Sequence, residues 1–93
     1  MSADDGGGAD DSYSAVAAEQ LDAMEAGDDP ELYNAVLGAC ELIFNQPGRA
    51  QSLSAAITTK EGIRFRLAVD GHDPYKVFWA SEGPRIEAVF PYP

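Results

Sequence analysis

Between Gly62 and Phe90 apolar and polar residues alternate with a period of two, interrupted twice by turn-forming residues. Ile63, Phe65, Leu67 and Val69 alternate with Arg64, Arg66, Ala68 and Asp70, which is the pattern of a strand with one face buried. Asp70-Gly71-His72-Asp73-Pro74 supplies a turn. Pairing Val69 with Tyr75 across it sets Leu67 against Val77 and Phe65 against Trp79. Ser81-Glu82-Gly83-Pro84 closes a second hairpin, and pairing Ala80 with Arg85 puts Trp79 beside Ile86, Val77 beside Ala88 and Tyr75 beside Phe90. Both registers keep the apolar residues on one side, and a slip of one residue would turn a whole strand over. The pattern predicts a three-strand antiparallel meander.

Upstream, the period lengthens to that of a helix. Asp29-Pro30-Glu31 combines a capping carboxylate, a proline suited to the first helical position and an acid suited to the positive helix end. The helix that follows runs to about Phe44, with Glu31, Asn34, Gly38, Glu41 and Asn45 leaving only a narrow wet stripe. So apolar a helix needs cover on two sides, from a second helix and a sheet. Tyr13, Val16, Ala17, Leu21 and Met24 predict that second helix, capped by Asp11 or Ser12 and ending at Gly27, with Gly27 to Asp29 joining the two as a hairpin. Asn45-Gln46-Pro47-Gly48 breaks the longer helix, and Arg49 to Thr59 reads as a connection anchored by Leu53 and Ile57, with room for a short helical turn. The expected fold class is α+β, a two-helix hairpin packed on a three-strand antiparallel meander.

Composition fits this plan. The chain has 93 residues, of which 45% are hydrophobic and 24% charged, enough for one core and no more. Glycine and aspartate dominate the start, where nothing apolar can be buried, so residues 1–11 are expected to be a disordered acidic tail and residues 12–93 a single domain. Cys40 is the only cysteine and lies in the most apolar helix, which excludes an internal disulfide and predicts a buried thiol. No apolar run approaches a membrane span, and the acidic start is unlike a secretory signal. A cytoplasmic protein without membrane contact is expected.

The net charge of −10 conceals an asymmetry. Residues 1–48 carry 11 of the 16 acids and no Lys or Arg, whereas residues 49–93 carry all 6 basic residues and 5 acids. Alternation gathers Arg64, Arg66, Lys76 and Phe78 on the sheet face away from the helices, with Arg85 and Glu87 on the third strand. Arg66 falls opposite Phe78 and diagonal to Lys76, a grouping able to hold phosphate and stack a base. The plainer account is a solvated face on which Glu87 pairs with Lys76. His72 stands alone in a turn, no set of ligands has metal-binding spacing, and Gly6-Gly7-Gly8 has no Lys after it to make a phosphate loop. Neither a metal nor a cofactor is expected.

Two helices, a proline-containing break and a meander over about Ala15 to Phe90 resemble the RelE/ParE superfamily of bacterial toxins. The resemblance is carried by Gln46-Pro47, Ile63-Arg64-Phe65-Arg66-Leu67 and Pro74-Tyr75-Lys76-Val77-Phe78-Trp79. It implies that Arg64, Arg66 and Lys76 occupy the positions at which the ribonuclease branch places its catalytic cations, which bind the mRNA phosphate and stabilise developing charge without a metal. It also implies RNA or the ribosome as target, an antitoxin as partner, or DNA gyrase as target in the ParE branch. The chain departs from the family in three ways. The family's strand before the first helix is replaced by Gly and Asp, which leaves a sheet edge open to an antitoxin, another protein or a second copy in a homodimer. The arginine and the tyrosine or histidine beyond the last strand are replaced by Phe90-Pro91-Tyr92-Pro93, and the chain is acidic where these toxins are basic. Two functions stay open on the residues alone. One is a toxin-like protein that engages RNA, the ribosome or another macromolecule, with or without metal-independent mRNA endoribonuclease activity. The other is a non-enzymatic interaction module using the sheet edge or a helix groove.

Overall fold

The computed structural model describes residues 12–92; the expected acidic tail lies outside the described residues. The order of elements is α1 (Ala15–Ala26), α2 (Pro30–Asn45), α3 (Pro47–Leu53), β1 (Ala55–Thr59), β2 (Gly62–Ala68), β3 (Tyr75–Ala80) and β4 (Arg85–Pro91). The fold class is α+β, with the helices on one face of an antiparallel sheet ordered β1-β2-β3-β4. The expected meander is therefore present as β2 to β4, and it is extended by one strand drawn from the segment read as a connection.

That segment holds two elements. Pro47 starts a new helix instead of only ending the old one, because its fixed φ and missing N–H suit the first helical position. After Leu53 the chain turns into β1, and the residues beyond it, Thr59 to Gly62, make a tight hairpin. Thr59 Oγ1 accepts from the Glu61 N–H at 3.2 Å, and Gly62 takes φ 118°, which a side chain would resist. Leu53 is 58% exposed and lies outside the buried core, while Ile57 is half-buried.

The long helix starts as its sequence predicts, with the Asp29 carboxylate accepting from the Leu32 N–H at 3.1 Å. The shorter one starts later than expected. Its cap is Ser14, whose hydroxyl accepts from the Ala17 N–H at 3.0 Å. Tyr13 and Ser14 are occupied instead with β4: Tyr13 forms a parallel bridge with Ile86, and the Ser14 N–H donates to the Ile86 carbonyl at 2.9 Å.

The core lies between sheet and helices. Val36, Cys40 and Ile43 from α2 and Ala17 from α1 meet Leu67, Val69, Val77, Trp79, Ile86 and Val89 from the sheet. Trp79 is fully buried, packs against Phe65 at 5.1 Å between ring centroids and donates its indole N–H to Ser54 Oγ at 3.1 Å, so its one polar atom is satisfied. Cys40 is a buried free thiol, and burial, reinforced by Glu41, pushes its pKa up to about 12. Among the described residues no helix is long and apolar enough to cross a membrane.

The β2–β3 register agrees with expectation, setting Phe65 against Trp79 and Leu67 against Val77. The β3–β4 register agrees only near its turn, where Ala80 faces Arg85 and Trp79 faces Ile86. Beyond that a bulge leaves Glu87 unpaired, and the pairs become Phe78 with Ala88, Val77 with Val89 and Tyr75 with Pro91. The expected partners Val77–Ala88 and Tyr75–Phe90 are thus corrected. The bulge puts Val89 in the core at 1% exposed in place of the smaller Ala88, and the Ser14 hydroxyl donates to the bulged Glu87 carbonyl.

Candidate nucleic-acid interface

The face of the sheet turned away from the helices is built by the side chains that alternate with the core. Arg64 and Arg66 come from β2, Lys76 and Phe78 from β3, and Arg85, Glu87 and Phe90 from β4. Arg66 is paired with Phe78, as expected, and Lys76 with Phe90 across the bulged ladder.

The bulge decides which aromatic residues reach this face. An unbroken ladder would turn Phe90 and Tyr92 toward the helices; one extra residue at Glu87 turns both outward. Phe78 and Phe90 stack with centroids 4.7 Å apart and planes inclined by 9°. Tyr92 meets Phe78 edge-on at 5.5 Å and is held there by its backbone N–H, which donates to the Pro74 carbonyl at 2.9 Å. The guanidinium of Arg66 lies 5.0 Å from the Tyr92 centroid, a cation–π contact. Phe90 and Tyr92 keep 37% and 39% of their surface in solvent, so the cluster presents open ring area beside a cation. Neither residue was evident as part of the surface from the alternation; the spacing of three between Ile86 and Val89, both apolar, was the signal for it.

The three cations singled out by sequence differ in their surroundings. Arg64 Nε lies 3.7 Å from Glu87 Oε2, and its Nη1 donates to the Ile63 carbonyl at 3.1 Å. Glu87 therefore sits beside Arg64, and the pairing with Lys76 considered above is replaced, because the bulge moves Glu87 along β4. Lys76 Nζ donates to the Pro74 carbonyl at 3.0 Å. Among the described residues, Arg66 and Lys76 have no carboxylate partner within ion-pair distance.

At the turn end of the same face is a shallow hollow of about 460 Å³, where Arg64 and Arg85 alternate with Glu61, Glu82 and Glu87. Mixed charge of that kind favours no ion of either sign. On the helical side, a groove of about 500 Å³ runs between α2 and β2, floored by Ala39, Leu42, Leu53 and Leu67. It lies between helix and sheet and not between the two long helices. His72 is taken up by its turn, its N–H donating to the Val69 carbonyl at 3.1 Å while its carbonyl accepts from Tyr75 at 2.8 Å. Among the described residues no cluster of three or more His, Cys, Asp or Glu could hold a metal ion.

Fold and face together define an α+β protein with a cation–aromatic sheet surface. Comparison with protein-family models, with curated proteins and with solved structures finds no match to the chain.

Proposed function

We propose that the chain is a small toxin-like protein of the RelE/ParE kind that engages RNA through the outer face of its sheet. The observation that carries this reading is the Arg66 guanidinium over Tyr92, in one cluster with Phe78 and Phe90 and with Lys76 alongside. Cations with no carboxylate neighbour among the described residues attract phosphate, and open aromatic rings stack on unpaired bases, so the face suits a single strand better than a duplex. The order of helices and strands, with alternate arginines on β2, supports the toxin-like part of the reading. Such a protein acts in the cytoplasm, under the control of an antitoxin.

The role assigned to Arg64, Arg66 and Lys76 is to hold phosphate. The same three cations would stabilise charge developing on a phosphodiester if the chain cleaves mRNA without a metal. Arginine donates no proton near neutral pH, so cleavage needs an acid or base from elsewhere. Anisotropy of a labelled single-stranded RNA titrated at several salt concentrations tests binding, and a denaturing gel of the same mixture in chelator reads cleavage. Binding that weakens with salt and is lost in Arg66→Ala/Lys76→Ala is the expected result. Binding absent at low salt, or untouched by those changes, overturns the reading.

A second reading, a non-enzymatic protein-interaction module, is favoured by β1, an edge strand with no charged residue and no proline. A protein partner captured equally well by Arg64→Ala/Arg66→Ala would favour it.

A further inference from the structure

The two edges of the sheet are unlike. The β4 edge is covered: Tyr13 bridges to Ile86, the Ser14 N–H and hydroxyl donate to the Ile86 and Glu87 carbonyls, and the Val89 N–H donates to Gln20 Oε1 at 2.6 Å. At the other edge, β1 has β2 on one side and no described strand on the other. Its five residues, Ala55-Ala56-Ile57-Thr58-Thr59, include none of the usual guards of an exposed edge, neither Lys nor Pro nor a bulge. Leu53 and Ile63, the two most exposed large apolar side chains among the described residues at 58% and 59%, flank this strand.

The register shows which backbone groups of β1 are free. The hairpin of two residues, Lys60 and Glu61, makes Thr59 and Gly62 a hydrogen-bonded pair, and alternation makes Ile57–Arg64 and Ala55–Arg66 the next such pairs. The other side of β2 is consistent, since Val69 bonds to Tyr75 across the next ladder. The N–H and C=O groups of Ala56 and Thr58 therefore point outward.

We propose that β1 pairs with β1 of a second copy, antiparallel and centred on Ile57, joining two four-strand sheets into one. This rests on the open edge of the second reading above and is independent of RNA binding. Of the two-fold registers, only this one places Ala56 of each copy in a hydrogen-bonded pair with Thr58 of the other, so all four free groups of each strand are satisfied. Ile57 then meets its counterpart in the closer, non-hydrogen-bonded pair, apolar against apolar.

Charge favours a second copy over an unlike partner of either sign. β1 itself is uncharged, and Lys60 and Glu61 beside it cancel. The acids of α1, Glu19, Asp22 and Glu25, lie toward the far edge, because α1 packs on β4. The apolar centre of the strand, Ile57, is thus matched by an apolar residue and the flanking Ala56 and Thr58 by uncharged ones. Coverage of the β4 edge stops growth, so pairing gives a closed dimer and not a filament.

Light scattering on the purified full chain, without RNA, is expected to give twice the chain mass at high micromolar concentration. Thr58→Pro is expected to halve that mass. The Thr58 N–H makes no bond to β2, so proline there leaves the β1–β2 ladder intact. Under air oxidation Ile57→Cys is expected to form an intermolecular disulfide and Ala55→Cys not to, since residue 55 would face residue 59 of the second copy; the buried Cys40 does not compete. A monomeric wild type, open-ended oligomers, a dimer that survives in folded Thr58→Pro, or cross-linking at residue 55 as efficient as at residue 57 would each overturn the proposal.

Discussion

The Arg66 guanidinium rests 5.0 Å from the centre of the Tyr92 ring, joining a residue of the second strand to one that follows the last. That contact depends on the bulge at Glu87, without which Tyr92 would point to the helical side. An irregularity in the ladder thus converts a row of cations into a surface that also carries open aromatic rings.

Removing the ring separates stacking from charge. Tyr92→Ala is expected to weaken single-stranded RNA binding by about 1–3 kcal/mol, the worth of one base stack, while leaving the slope of affinity against salt nearly unchanged. Fluorescence anisotropy checks both. Tyr92 keeps 39% of its surface in solvent but packs edge-on against Phe78, so stability in urea should fall by about 1 kcal/mol, and binding is compared well below the unfolding transition.

The bulge makes neighbouring residues opposite in sensitivity. Val89→Ala should cost about 2 kcal/mol in urea unfolding, since Val89 is buried against Val77 and the space it vacates cannot fully close. Phe90→Gln should cost clearly less than Val89→Gln, because residue 90 borders solvent whereas an amide at residue 89 would be buried in the core. A continuous ladder would give the reverse order.

Much of this was legible in the chain, for identifiable reasons. Asp29-Pro30 marks the start of the long helix because cap and proline act locally, and the β2–β3 register follows from alternation on both sides of one turn. The bulge was not legible in the same way: Ile86, Ala88 and Phe90 already alternate as apolar residues, and only the larger volume of Val89 over Ala88 makes the shifted register the better core. β1 escaped notice because five residues of Ala, Ile and Thr have hardly any alternation, and the strand exists by pairing with β2. Of the site, the cations could be placed by parity, whereas Phe90 and Tyr92 could not be placed until the bulge was known.

Trp79 ties the sheet to the chain after α3 through Ser54. Ser54→Ala leaves the indole N–H of a fully buried ring without its acceptor, which should cost about 1–3 kcal/mol in chemical denaturation. Ser54→Thr, which keeps the hydroxyl, should recover part of that loss.

Cys40 gives the fold a weakness to alkali. In the unfolded chain the thiol ionises near its ordinary value of 9.0, whereas in the folded protein burial holds the neutral form until about pH 12. The unfolded state therefore binds fewer protons across that window. Its contribution to stability, complete below pH 9, is lost as pH rises toward 12. Tyr13, raised by burial and then by Cys40 and Tyr33, acts in the same direction from 10.0 upward. Urea midpoints measured up the alkaline range should fall, and more gently in Cys40→Ala. A thiol reagent should label native protein only at the rate of opening.

The role proposed for Arg66 and Lys76, set among Phe78, Phe90 and Tyr92, is to bind a single RNA strand. Its most direct test is the salt dependence of RNA affinity for wild type beside Arg66→Ala and Lys76→Ala. Affinity is expected to fall with salt in the wild type, with a slope shallower by roughly one phosphate contact in each variant. Equal slopes in all three proteins, or no binding at low salt, would contradict it.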